Sequence, residues 1–568
     1  MPYAAPVAEL RFLLDHVLDY AAVAATDRFA EAGPETVEAI LTGAARLAEG
    51  VMAPLNRVGD LNPARLENGI VRTPPGFAEG YRAIAEGGWV GLSADPAFGG
   101  MGLPQTLNTA VGEMMAAACM ALQLCPLLAQ GQIEALQHHA DARLKALYLP
   151  RLISGEWTGT MNLTEPQAGS DLAALRSRAE PNGDGTYAIS GQKIFITWGD
   201  HDLALNVCHL VLARLPDGAP GTRGISLFLV PKFIPDAQGN PGARNRLQVV
   251  SLEHKMGIHG SPTCVMAYEG ATGWLVGEPH GGLAAMFTMM NTARLAVGAQ
   301  GIGLAEAALQ HAMAHATGRR QGRTPLGPGP IVDHADVRRM LAEMRAEVFA
   351  ARALVLDCAV AIDMAQATDG ADWQARAALL TPIAKAHGTD IGCEVAHLGV
   401  QVHGGMGYVE ETGAAQFLRD VRITPIYEGT NGIQAMDLIG RKLSDGGEAL
   451  FRLLSEVQER AEAARAGFAE LAEPVWNAAE TVRETSEWMP AAEMTDRAAG
   501  ASAFLRALAR VLGGHYHLRT AMADPAGPRA RLARVFMDRV LPDHEVLCQR
   551  ARAGAGPLYA LSVADLVA

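Results

Sequence analysis

Cysteine is scarce and poorly spaced for building structure: the seven residues Cys119, Cys125, Cys208, Cys264, Cys358, Cys393 and Cys548 are odd in number and never form CxxC. A disulfide framework and a structural zinc site are therefore not expected, and these thiols read as small buried hydrophobes. Aromatics make up only 5% of the chain, and 47 Lys plus Arg against 61 Asp plus Glu leave a net charge of −14. That balance disfavours unspecific attraction to nucleic acid or an anionic membrane, and still allows an anionic ligand held in a cleft. The 17 histidines include no HExxH, so no metal is expected. No uninterrupted apolar run reads as long enough to span a bilayer, and MPYAAPVAELRFLLDH has no basic leader. The expectation is a cytoplasmic protein without membrane insertion.

A chain of 568 residues is too long for one core and predicts three or four packed units. Residues 1–156 repeat apolar positions at three and four, as in PETVEAILTGAARLAEGVMAPL, and predict a helical N-terminal domain. Residues 157–280 change to a period of two in TYAISGQKIFIT, LNVCHLVLARL and GISLFLVPKF, with turns at PNGDG and PDGAPG. They predict a compact β domain. Helical periodicity returns over 281–443, where LAVGAQGIGLAEAALQHAMAHA lines one face with small residues that let neighbouring helices approach closely, as in a bundle. Residues 444–568 form an additional helical C-terminal region.

Three stretches carry chemistry. MNLTEPQAGSDLAAL (Met161–Leu175) offers backbone N–H groups and the hydroxyls of Thr164 and Ser170 to a polar planar ligand. In GQKIFITWGD, Phe195 and Thr197 alternate on one strand face, suited to a ring and one of its heteroatoms. RITPIYEGTNGIQAM places a lone carboxylate, Glu428, between Tyr427 and Gly429, where it is neither a helix-face charge nor a turn-maker.

These stretches, with QVHGGMGYVEETGAAQFLRD (Gln401–Asp420), resemble the acyl-CoA dehydrogenase family of flavoenzymes, and the resemblance runs through most of the chain. It implies an α+β fold: a helical N-terminal domain, a middle β-barrel and a C-terminal four-helix bundle, here with the extra helical domain. FAD would lie between barrel and bundle, a neighbouring subunit completing its site, and electron-transfer flavoprotein would be the acceptor. Matched motif by motif, Met161, Thr164, Phe195 and Thr197 would meet the flavin, and Arg319, Gln401, Gly404 and Gly405 would approach its diphosphate across a dimer interface. Thr430 and Gly432 would face the FAD of the adjoining subunit. Ser170, Asn291, Arg294 and Gly429 would contact the acyl-CoA substrate. Glu428 would be the base, its own N–H and a ribityl hydroxyl meeting the thioester oxygen.

Four positions depart from the family pattern: Asn162 where a small residue or Cys is usual, Phe195 for Trp, Gln416 for Lys or Arg, and Ala335 for a glutamine. Within the family, the four-part layout most closely resembles the branch acting on 3-methylmercaptopropionyl-CoA, so a short acyl-CoA is expected, with another short- or medium-chain ester as the alternative. A DNA-associated alkylation-response flavoprotein shares the fold, but the last region carries more acids than arginines and no lysine, without the basic footprint of a DNA surface. An acyl-CoA oxidase shares the base and stays open. The resemblance further implies a homodimer.

Overall fold

The computed structural model describes residues 3–568. The N-terminal part is helical as expected, and ends in the long Gln105–His139 helix and the Ala142–Ile153 helix. One element was not anticipated: β1 (Arg65–Glu67) and β2 (Ile70–Arg72) form a hairpin. Its turn is Asn68-Gly69, with φ of 52° and 76°, the two-residue left-handed turn that Asn-Gly favours.

The Gln105–His139 helix also corrects the reading of apolar runs. By length and composition it could cross a membrane, but 94% of its most apolar stretch is buried inside the protein. It is a core helix, bent where Cys119 leaves helical geometry.

The middle domain is built from β3 (Trp157–Asn162), β4 (Arg178–Pro181), β5 (Tyr187–Thr197), β6 (Asn206–Arg214) and β7 (Ile225–Pro231). A small hairpin of β8 (Phe233–Pro235) and β9 (Pro241–Arg244) follows, then β10 (Leu247–Leu252) and β11 (Thr263–Val276). Pairing runs β11–β5–β4–β6, and β7 bonds both β6 and β11. The ring of strands therefore closes, with β3 and β10 attached outside it. Ile196, Val211, Phe228, Val230 and Met266 fill its core. Asn162 is satisfied inside this domain: its amide donates to His209 Nδ1 at 3.2 Å and its oxygen accepts from Tyr268 at 2.8 Å. Burial pushes the His209 ring down to about 3, so it stays neutral and able to accept.

The bundle has three long helices, Gly282–Gly318, Ala335–Thr368 and Ala371–His403. In place of a long fourth helix come two short ones, Ala414–Val421 and Asn431–Asp437, separated by the loop that carries Glu428. The first and third long helices meet backbone to backbone: a Cβ on Gly301 would lie 2.4 Å from the Gly388 carbonyl, and one on Gly392 2.7 Å from that of Gly301. This is the close approach that the small-residue face implied.

Two ionic clusters fix the parts together. Buried Arg352 binds Glu113 of the N-terminal helix at 2.7 Å, Glu306 at 2.8 Å and Glu9; Arg345 also reaches Glu9 and Glu306. Three carboxylates share two cations. Burial raises Glu113, while the two arginines hold Glu306 down at about 2 against its own burial. In the last region, the Met494–Ala523 helix packs on Ala335–Thr368 through Arg510–Glu347 at 2.5 Å and Tyr516–Asp357 at 2.6 Å. Six of the seven cysteines are buried and Cys393 is partly so.

Candidate active site

Glu428 sits in a loop between two short helices with φ of 55°, a left-handed backbone that few non-glycine residues adopt. Such strain persists only where the surroundings enforce it, and here they do. Gly429 follows at φ 85°, and its carbonyl accepts from Lys385 Nζ at 2.9 Å and from Gln434 at 3.2 Å. Gln434 also donates to the Glu428 carbonyl at 3.3 Å. Thr430 caps the Asn431–Asp437 helix by accepting from the Ile433 N–H. Asn431 is riveted to the Ala371–His403 helix through Lys385, Ala386, Thr389 and Asp390.

The carboxyl of Glu428 is pushed up to about 7 by burial, while Arg294 and Lys385 pull the other way. Its side chain is only partly buried, so water reaches the mouth of the site while protein surrounds its floor. Arg294 is 5% exposed, yet its nearest carboxylate, Asp437, is 3.8 Å away and its Nε has no partner among the described residues. Asn291, one turn earlier and exposed, accepts weakly from Arg294 at 3.4 Å. A buried guanidinium with unspent donors, beside a carboxylate of raised pKa, is a site prepared for a polar ligand.

Behind the base, Tyr427 donates to Gln300, whose amide donates to Gln123 of the long N-terminal helix at 2.8 Å. Two residues before Gln123, the Ala121 carbonyl accepts from Trp198 at 3.2 Å. Trp198, which follows Thr197, and Tyr427, which precedes Glu428, thus both reach the Ala121–Gln123 stretch of that helix. The Met161–Ser170 segment is held beside it. Ile194 N–H donates to the Thr164 carbonyl, and buried Lys193 binds the Leu163 carbonyl at 3.1 Å and Glu165 at 2.8 Å. Glu165, held at about 2 by Lys193, also collects Ser177 and the Arg176 N–H. Met161 is 9% exposed, Thr164 and Thr197 are partly buried and Ser170 is exposed. Phe195 exposes 59% of its surface at a left-handed φ of 60°.

The other candidates lie elsewhere. Arg319 follows the end of the Gly282–Gly318 helix, and Gln401, Gly404 and Gly405 close Ala371–His403, all exposed. They share one end of the bundle, where His403 stacks on His315 at 4.4 Å and on His311 at 4.7 Å. Arg294 and Arg319 are 25 residues apart on one helix, about 38 Å at about 1.5 Å per residue. Within one chain, the two groups of candidates are thus not brought together. Gly432 lies exposed in the first turn after Thr430.

Sequence reasoning passed over Lys385, Asn431, Gln434, Gln300 and Gln123, whose partners in the fold are mostly far away along the chain. Asn431 and Gln434 alone had a local signal, three and six residues after Glu428.

Family comparisons match the chain in four pieces: the N-terminal domain of acyl-CoA dehydrogenase over residues 35–156, its middle domain over 160–271, its C-terminal domain over 280–443, and an acetyl-CoA dehydrogenase C-terminal-like domain over 453–562. Among curated proteins, 3-methylmercaptopropionyl-CoA dehydrogenase of Ruegeria pomeroyi is 49% identical over 460 residues, 80% of this chain and 78% of the relative. A butyryl-CoA dehydrogenase of Syntrophomonas wolfei is 33% identical over 479 residues, 80% of this chain and 78% of the relative. Among solved structures, ACDH-11 of Caenorhabditis elegans in complex with C11-CoA superposes with a TM-score of 0.79 at 20% identity, over 98% of this chain and 94% of that one, a likeness of fold. The chain belongs to the acyl-CoA dehydrogenase family, oxidoreductases acting on a CH–CH bond of acyl-CoA thioesters.

Proposed function

We propose that the protein removes two hydrogens from the α and β carbons of a short acyl-CoA, 3-methylmercaptopropionyl-CoA, giving 3-methylthioacryloyl-CoA, with Glu428 as the base. The observation that carries this is a half-buried carboxyl in a left-handed loop, raised to about 7 by burial, within the field of the buried, underpaired Arg294 of the Gly282–Gly318 helix. A saturated thioester is a weak acid at its α carbon, and a base is most effective when its pKa lies near the working pH. Among the described residues the amides of Glu428 and Gly429 find no acceptor. The Glu428 N–H is therefore free to donate to the thioester oxygen as negative charge develops there.

The residues present fit FAD. Phe195 offers an exposed ring where the β5–β11 register shifts, so it does not simply alternate with Thr197 as expected, while the Thr164 segment is tied to β5 by the Ile194 N–H; Gly404 at φ 59° gives backbone access for a diphosphate at the far end of the bundle. Bound there, FAD supplies the acceptor for the hydride that leaves the β carbon. The separation of Arg319, Gln401, Gly404 and Gly405 from the Glu428 site supports a homodimer in which each flavin spans two copies. Electron-transfer flavoprotein is the proposed acceptor, in the cytoplasm.

The likeness to the Ruegeria protein, over 80% of this chain, supports the substrate, and no single pocket residue does. A thioether and a methylene differ little in volume, so pentanoyl-CoA is the near-isostere, and butyryl-CoA, one methylene shorter, should react as well because a hydrophobic pocket discriminates weakly over one methylene. Comparing kcat/KM for the methylthio, butyryl, octanoyl and palmitoyl esters tests this. Preference for either long ester by about tenfold or more contradicts the substrate and leaves the chemistry standing.

A further inference from the structure

Of the two cations that face Glu428, one is loosely held and one is locked. Arg294, on the Gly282–Gly318 helix, has a weak bond to Asn291 at 3.4 Å and Asp437 at 3.8 Å, with Arg441 nearby and, among the described residues, no partner for Nε. Lys385, on the Ala371–His403 helix, is fully buried and makes two bonds of 2.9 Å, to the Gly429 carbonyl and the Asn431 side chain. These two acceptors flank Thr430 in the turn that immediately follows the base. Burying an ammonium is costly, and among the described residues no carboxylate pairs directly with Lys385: Asp390, on the same helix, is bonded instead to Asn431 at 2.7 Å. The charge thus stands in the protein with Glu428 and Asp390 as its nearest anions.

We propose that Lys385 is the positioning residue of the catalytic loop: it pulls the Gly429 carbonyl and Asn431 onto the bundle, which fixes the left-handed turn at Glu428, and its charge favours the ionised base. The proposal rests on Glu428 being the base. Geometry and charge act in the same direction. With the Gly429 carbonyl held by the ammonium, the Glu428 and Gly429 amides have no acceptor among the described residues and are left for the substrate; without the ammonium, Glu428 keeps only Arg294 to offset its burial. Burial holds Lys385 itself at about 8, so it is charged at neutral pH and begins to lose that charge just above it.

The test compares holoenzyme carrying Lys385→Met, Lys385→Arg and Glu428→Gln. The midpoint for protonation of Glu428 is read directly as the carboxyl band in infrared spectra, wild type minus Glu428→Gln, and again as the acid limb of anaerobic flavin bleaching by substrate. Lys385→Met should move both midpoints upward by about one pH unit and cut kcat at least about tenfold with KM nearly unchanged; Lys385→Arg should restore the midpoint. Lys385→Gln, which keeps a donor and drops the charge, carries the same test if the Met variant does not fold. Unmoved midpoints and kcat within about threefold of wild type, in a protein whose Glu428→Gln variant is inactive, overturn the role of Lys385 alone. An active Glu428→Gln variant overturns the base assignment and this proposal with it.

Discussion

An ionised Glu428 costs the folded protein stability, and replacing it should make the protein stronger as well as slower. Its carboxyl stands at about 7 against an ordinary 4.5, with burial as the main cause. At about 1.36 kcal/mol per pH unit, a shift of this size is an upper bound near 3 kcal/mol; the side chain is partly exposed, and solvent screening brings the expected figure to about 1–3 kcal/mol. The sign follows from linkage. Below about 4.5 both folded and unfolded chains hold the proton and nothing is lost. As pH rises toward 7 the unfolded chain releases it first, so stability falls, and above 7 the full cost persists. Glu428→Gln keeps shape and removes the titration. Calorimetric scans of both flavin-loaded proteins at pH 5, 6, 7 and 8, at one scan rate, should show the variant melting about 1–2.5 °C higher at pH 8, with the gap closing toward pH 5. A gap that does not change with pH, or a variant less stable at pH 8, refutes the reasoning.

Two further outcomes follow from the packing. Arg352→Met leaves the buried carboxylate of Glu113 without its cation and Glu9 and Glu306 with Arg345 alone, so denaturant melts at pH 7.5 should lose about 3–5 kcal/mol, part of it recovered when Glu113→Gln is added. Gly429→Ala forces a side chain onto a φ of 85° with its Cβ 2.7 Å from Gln434 Nε2. It should lower kcat by at least about tenfold, at a stability cost of about 1–3 kcal/mol, with flavin content, read from the visible spectrum, unchanged.

Periodicity made the helices and strands legible because each buries one face, and the small-residue stripe of Gly298–Gly303 announced the backbone contact with Gly388 and Gly392. The β1–β2 hairpin was equally open to reading in Asn68-Gly69, a two-residue turn signal that the surrounding helical pattern masked. The membrane-length stretch in Gln105–His139 was harder, since a core helix and a spanning helix share a composition and differ only in what surrounds them. Motifs found Glu428, but no local pattern marks Lys385, 43 residues before it, or Gln123, which meets Gln300 across 177 residues of sequence and through it Tyr427 across a further 127. A buried lysine in IAKAHG reads as an ordinary helix residue until the fold shows that its partners are a loop carbonyl and an asparagine. Asn162 departs from the family pattern in sequence, and only the structure reveals Tyr268 and His209 as its reason.

The base assignment is tested most directly by rapid anaerobic mixing of the flavin-loaded protein with 3-methylmercaptopropionyl-CoA at pH 8, following the loss of flavin colour in a single turnover. With Glu428 ionised, wild type should bleach quickly. Glu428→Gln, still yellow and still binding the ester, should bleach slower by about a hundredfold or more. Bleaching of that variant at a rate within about tenfold of wild type would show that another group takes the proton and would contradict the account.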